Sequence, residues 1–449
     1  MEYALNYRKD FDRKGQNLTV NMRYYNNEEK ERSTISETKY LLPEYKLSPE
    51  SQLFQKINND QLDKNLQATV DYVHPLWRKG IFEAGLKYQW RKIDNNYDSF
   101  EQDENNVYQP MLDYTNHFLY DEQITAGYLI LGNDFGRYSF QAGLRAEYSD
   151  IQTVLKETNV KNNQNYFNLF PSLHLNYKLT ENDQLQISYS RRIRRPFYRQ
   201  LNPFHSLSDN RNVHTGNPYL KPVFTDSYEF GYLKYWNKAS LNINLYYRHS
   251  IDVFRQMTTL DTTTGITFTM PWNFGSEDAY GLEVVGNVNP LEWLNVNGNF
   301  NLFQSITVGD FNGTHYMTDY FGYGGRLVAK FNIMKGFDAQ LSANYRGPRE
   351  NPQGKSKADY WADLGVSKEV IKGKGTLTLN VRDVFGTRSF KNEVFDDNYY
   401  QKTEFTWSRT TITLNFNYRI NQQKRQRRNN EIQHSTDTDM MDDSIMMDM

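Results

Sequence analysis

Apolar and polar residues alternate with a period of two in segment after segment of this chain. In TITLNFNYRI, residues 411–420, Ile412, Leu414, Phe416, Tyr418 and Ile420 fall on one side, and Thr411, Thr413, Asn415, Asn417 and Arg419 on the other. Successive side chains of a β-strand point to opposite faces, so each such segment is a ribbon with one greasy face and one wet face. The same pattern runs through residues 18–24, 82–90, 138–148, 241–247 and 321–333. About 17 strands satisfy this test. Their connections alternate between short turns, such as LGNDFG, WNKA and MKG, and longer polar stretches at residues 26–64, 91–115, 194–223, 250–279, 347–357 and 385–404. Alternating short turns and long loops describe an up-and-down antiparallel sheet whose two ends differ, as in outer-membrane barrels.

The greasy faces must meet either a protein core or lipid. A soluble β-sandwich or propeller is the first alternative. Many of the strands, however, run roughly 10 to 14 residues, against a usual soluble length of about 5 to 6, and a tilted membrane strand needs about 9 to 11. Aromatics sit near strand ends with smaller residues between them: Tyr138, Phe140 and Tyr148 flank Ala142, Leu144 and Ala146. Amphipathic rings favour the two membrane interfaces, so this spacing reads as paired girdles. Composition agrees, with 34 Tyr and 27 Phe in 449 residues alongside a negative mean hydropathy. A propeller would show a repeat of roughly 40 to 50 residues, and none is visible. No apolar run reaches the ~18 residues of a membrane helix. The expectation is an all-β, transmembrane, antiparallel up-and-down β-barrel embedded in outer-membrane lipid.

Residues 1–420 are expected to form the barrel and residues 421–449 a disordered periplasmic tail, basic at KRQRR and then acidic and Met-rich at DTDMMDDSIMMDM. The final strand should end on the short-turn, periplasmic side. Counting back, the first strand then starts at the extracellular end. A barrel with both termini periplasmic has an even number of strands, so an odd number is expected to be missing upstream. An odd-stranded barrel with one parallel pair is the alternative. A secretory leader is not visible, which implies either a cytosolic chain or one without its true N-terminus.

The block at residues 189–232, YSRRIRRPFYRQLNPFHSLSDNRNVHTGNPYLKPVFTDSYEFGY, resembles the strand–loop–strand core of the β-barrel domain of TonB-dependent-receptor-like outer-membrane proteins. DYVHPL (71–76), FPSLHLNY (170–177) and VRDVF (381–385) add to the resemblance, which covers most of residues 1–420. It implies a barrel of about 22 strands around an N-terminal plug with a TonB box, and import of a nutrient ligand. Plug and TonB box are not in this sequence, so a TonB partner is expected only where those parts exist. A structural or adhesive barrel without transport is the alternative, and an outer-membrane barrel hydrolase the second.

The ligand-binding candidates lie on the long loops and rim. Arg194 and Arg195, with Arg191 and Arg192, form a basic run whose guanidinium groups suit lipopolysaccharide phosphate or an anionic ligand. An Arg ladder pairing with neighbouring carboxylates is the alternative. Tyr198, Phe204, Tyr219, Trp272 and Phe274 can stack on a ligand or pack a lid. His205 and His214 share one loop and could contribute to a metal or haem-like site, or act as polar loop residues. Residues 94–105, DNNYDSFEQDEN, have the oxygen density of a calcium loop but not its sixth-position glycine. No HExxH, CxxC or GxSxG pattern occurs, so no catalytic residue, metal site or cofactor is expected. Zero cysteines remove thiolate chemistry, and a formal charge of −2 gives no footprint for nucleic acid.

Overall fold

A computed structural model of the chain describes residues 1–41, 46–77, 79–203, 209, 211–396, 398–406 and 409–420, with side chains outside 39–51, 113 and 373. The wall is one meandering sheet. Its first eight strands are β1 (Glu2–Asp10), β2 (Asn17–Leu41), β3 (Lys46–Leu76), β4 (Gly80–Gln102), β5 (Asn116–Asp134), β6 (Tyr138–Leu155), β7 (Val160–Lys178) and β8 (Asp183–Arg194). The remainder are β9 (Val223–Trp236), β10 (Ala239–Ile251), β11 (Ser276–Leu291), β12 (Leu294–Phe311), β13 (Thr314–Met334), β14 (Phe337–Arg346), β15 (Asp359–Val370), β16 (Gly375–Arg382) and β17 (Thr411–Tyr418). Each pairs antiparallel with the next. A three-residue strand, Tyr108–Pro110, extends the top of β4.

The greasy faces point away from the protein. Leu86 is 65% exposed, Leu129 55% and Leu144 48%, which excludes a sandwich core as their destination. Register places Leu129 opposite Leu144 and Tyr228 opposite both Tyr189 and Tyr247, so the apolar positions of successive strands form continuous bands. The girdle tyrosines are tethered by their phenols. Tyr189 Oη donates to Asp226 Oδ1 at 2.8 Å and Tyr247 Oη to Asp278 Oδ1 at 2.7 Å. Ring in lipid and hydroxyl on a carboxylate is the arrangement that suits tyrosine at an interface.

The inner face is polar and, in places, tightly interlocked. Gly85 on β4 faces Tyr128 on β5. A Cβ at Gly85 would lie 2.6 Å from Tyr128 Cζ and 2.7 Å from Asp71 Oδ1. The bare glycine lets the ring lie flat across the strand while Tyr128 Oη donates to Asp71 at 2.7 Å. Gly281 beneath Tyr246 and Gly322 beneath Phe303 repeat the device. Farther round, Asn242, Asn244, Asn297 and Asn299 line the wet face.

Three polar stretches read as loops, residues 26–64, 91–115 and 385–404, are largely strand. The β2–β3 ladder runs on from Asn26–Lys64 as far as Leu41–Lys46, β4 continues to Gln102, and Phe390–Asp396 pairs with Tyr399–Phe405. Backbone hydrogen bonds carry a hairpin into water after the apolar alternation has stopped. The expected strand lengths were therefore short, β3 having 31 residues. Among the described residues β1 pairs only with β2 and β17 only with β16, and both are exposed throughout. The tail, residues 421–449, lies outside the described residues.

Candidate functional site

At the long-loop end, connections from four places in the chain fold together over the lumen. The first, 195–222, turns inward at once. Arg195 donates through Nη2 to Glu147 and, at 2.9 Å, to Ser149 Oγ, and through Nε to Tyr166 Oη at 3.1 Å. All three partners are on the inner faces of β6 and β7. A helical turn, Tyr198–Leu201, follows. Tyr198 Oη donates to Gln61 on β3. Asn116 on β5 donates to Asn202 Oδ1 at 3.0 Å, and Gln164 on β7 reaches the carbonyls of Pro218 and Leu220 at 3.2 and 3.0 Å. Leu201 and Leu220 complete an apolar cluster with Ile93, Phe118, Tyr120 and Ile151. Four buried inward positions on β4 to β6 thus carry hydrophobic rather than lumenal side chains because a loop covers them.

The second connection, 252–275, is a hairpin, Phe254–Asp261 against Ile266–Asn273. Met257 and Phe274 are fully buried with Val223, Val253 and Phe311. Asn212–His214 of the first loop adds to this hairpin as a parallel strand. The third and fourth connections contribute Arg349–Asn351, Gly354–Ser356, Phe390–Asp396 and Tyr399–Phe405 as one small sheet.

Amide side chains join these pieces. The buried Gln353 accepts from Thr258 N–H at 2.7 Å and donates to Thr258 O at 2.9 Å, as a neighbouring strand would. Asn273 links the carbonyls of Lys221 and Asp252, each at 2.9 Å, and Gln401 donates to Asn212 at 3.1 Å. Tyr399 Oη adds a bond to Thr258 O at 3.1 Å. Apart from the Asn273–Asp252 bond, which closes the second connection on itself, these bonds cross between connections, so the four form one packed body.

The candidate residues fall into different places. Arg194 lies with its guanidinium 5.2 Å from the Phe254 ring centroid. Arg195 and Tyr198 hold the loop to the wall. Trp272 packs edge-on against Phe311 at 5.6 Å, and Phe274 is core. His214 and Tyr219 are exposed. Phe204 and His205 lie outside the described residues, so the histidine pair is not placed. Of the basic run, Arg191 faces outward, beside Asp226 at 3.8 Å. Residues 94–105 continue β4 and its turn, where Asp103 accepts from the backbone of Asn105 and Val107 and from Gln109, each at 2.9 Å. Sequence reading missed Gln353 and the group around Trp361, where Arg346 and Arg388 stack at 5.9 and 4.8 Å. The only sequence signals were RGPRE and GTR, two short basic patches far apart in the chain.

Residues 9–418 match the Outer membrane protein beta-barrel family. The chain belongs to this family. No curated protein matches it by sequence. Several solved structures share its fold. The ferric yersiniabactin uptake receptor FyuA from Yersinia pestis superposes with a TM-score of 0.61 at 13% identity, over 92% of this chain and 60% of that one. The ferric-catecholate import receptor Fiu from E. coli K12 gives 0.64 at 12%, over 93% and 63%. The ferric citrate transporter FecA gives 0.59 at 12%, over 92% and 60%. The chain therefore spans about three fifths of the length of these receptors. This outer membrane beta-barrel family member has the wall fold of TonB-dependent receptors and resides in the outer membrane.

Proposed function

We propose that the chain forms the wall and outer mouth of a receptor that binds a nutrient ligand and imports it across the outer membrane. The observation that carries this reading is the canopy: four connections build a folded body with its own apolar cores at the lumen mouth. A barrel serving only as scaffold has no use for such a body. Here Arg195, Tyr198 and Trp272 are framework, while Arg194, Phe204, His205, His214 and Tyr219 belong to the ligand-gathering region. Outer-leaflet lipopolysaccharide packs its acyl chains against the tyrosine girdle, and the outward Arg191 is the guanidinium on that face for its phosphates. β1 and β17 run in the same direction, so an odd number of antiparallel strands joins them in the closed barrel, since hydrocarbon offers no backbone partners. Where a plug with a TonB box accompanies this wall, TonB powers uptake through it, and the tail enters the periplasm.

The named cargoes of the structural neighbours include ferric yersiniabactin, ferric citrate and ferric catecholates, which supports a metal chelate as cargo. Whole-cell accumulation of labelled ferric chelates, copper and oligosaccharides should be compared among the parent strain, a strain deleted for this chain and a TonB-null strain. One cargo is expected to fall in both null strains. Unchanged accumulation of all of them in the deletion strain would leave a structural or adhesive barrel instead.

A further inference from the structure

The short-turn end of the wall is positively charged. Six of its eight turns expose Lys or Arg, and their acids are Asp12, Glu181 and Glu292. Two of the cations are engaged: Arg13 lies 3.2 Å from His74 Nε2 and Lys79 3.4 Å from Asp134. The other six described, Lys14, Arg137, Lys238, Lys335, Lys372 and Lys374, are exposed and have no ion-pair partner among the described residues. Acids at the adjoining strand ends do not neutralise them. Asp10 pairs with Arg8 at 3.0 Å, Asp134 with Lys79 and, at 4.0 Å, with Lys178, and Asp183 with Lys234 at 2.6 Å. Glu369 has a partner of its own, which leaves Asp338. The whole chain has a formal charge of −2, so the excess belongs to this pole and not to the composition.

Aromatic rings set the depth of these cations. Trp77 and Phe135, within two of the turns, are 71% and 68% exposed, and Tyr138, Trp236 and Trp293 are 61%, 48% and 47% exposed. Tyr138 shares its face of β6 with Leu144, and Trp236 its face of β9 with Tyr228, so both look into lipid. Trp293 stacks on Phe331 at 6.2 Å, and Lys234 Nζ lies 5.5 Å from the Trp236 ring centroid. Such rings settle at the headgroup boundary, so cations a residue or two beyond them stand at the level of the lipid phosphates. Neighbouring turns are two strands apart, about 10 Å. The cations thus form a necklace around the lip and not a pocket, which suits many small headgroups and no single compact ligand.

We propose that this periplasmic lip gathers anionic glycerophospholipids from the inner leaflet of the outer membrane. The proposal goes beyond the import reading and rests on the barrel's place in the membrane alone. The probe is phosphatidylglycerol. The full chain is reconstituted into phosphatidylethanolamine vesicles with a minor share of phosphatidylglycerol, and spin-labelled forms of the two lipids report which one populates the shell around the protein. Phosphatidylglycerol should be enriched about fivefold beside the turns, the effect of one basic residue at an anionic surface, and the enrichment should fall as salt rises. The combined variant Lys238→Gln, Lys335→Gln, Lys372→Gln and Lys374→Gln should lose most of it, whereas Lys→Arg at the same four positions should keep it. Folding is judged by heat-modifiable gel mobility, and Lys238→Gln with Lys335→Gln replaces the fourfold variant where that one does not fold. A shell with the bulk lipid composition overturns the proposal. Enrichment unchanged in the folded glutamine variant does so too, as does lysine-dependent binding of solubilised cell-wall fragments without lipid enrichment.

Discussion

Replacing Arg195 with methionine removes the bond that pins the first loop to the wall. Glu147 is only 3% exposed and would lose one of its two guanidinium partners, keeping Arg145 at 2.6 Å. Breaking a buried ion pair by removing one side destabilises by about 3–5 kcal/mol. The remaining Arg145 contact reduces this to about 2–3 kcal/mol, roughly 30- to 150-fold in the loop-opening equilibrium. The amides to watch are those of Asn202, Gly216 and Asn217, which donate to Tyr198, Asn202 and Gln200 within the loop. Native-state hydrogen exchange should show them accelerated by that factor, with wall amides of β5 and β6 unchanged. Adding Glu147→Gln to Arg195→Met should recover most of the loss, because the buried charge goes with its partner. Unchanged exchange in Arg195→Met would refute the reasoning and leave the packing of Leu201 and Leu220 as the whole attachment.

Gly85→Val should impair assembly by about 1–3 kcal/mol, as overpacking does, because its side chain meets the Tyr128 ring; the fraction of heat-modifiable protein in outer membranes measures it. Leu144→Arg, on the lipid face, should lose up to about 2–4 kcal/mol of insertion free energy, whereas Asn242→Arg, on the lumen face, should insert normally; equal yields of the two would contradict the assigned inside and outside. The Asp103 carboxyl is held below its ordinary range by the Gln109 amide and the Val107 N–H. Its folded value lies under its unfolded one, so the turn is fully stabilised above roughly pH 4 and loosens as pH falls through the lowered value; Asn105 and Val107 amide shifts followed by NMR between neutral and acidic pH should move together, and Asp103→Asn should abolish the transition.

Much of the wall was legible because strand alternation is a local property. Tyr138 to Tyr148 declare their two faces without reference to any neighbour, and the aromatic ends declare the solvent those faces meet. The ends of strands were not legible where polarity alone marked them: residues 26–64 look like loop by composition, yet backbone hydrogen bonds to an equally polar partner continue the ladder. At the mouth, the sequence marked Arg195, Tyr198 and Trp272 as residues of interest but gave them no partners. Glu147 lies 48 positions from Arg195, and Gln353 lies 95 from Thr258. Likewise, Arg346, Trp361 and Arg388 meet only because β14, β15 and the connection after β16 are neighbours in space. The amino-acid order by itself determined a sheet with an oily outside and a wet inside, since each residue's face follows from its parity. Only the tertiary structure decided which loops leave solvent to cover the lumen, because that depends on side chains from distant strands finding complementary hydrogen bonds and apolar surface at one place.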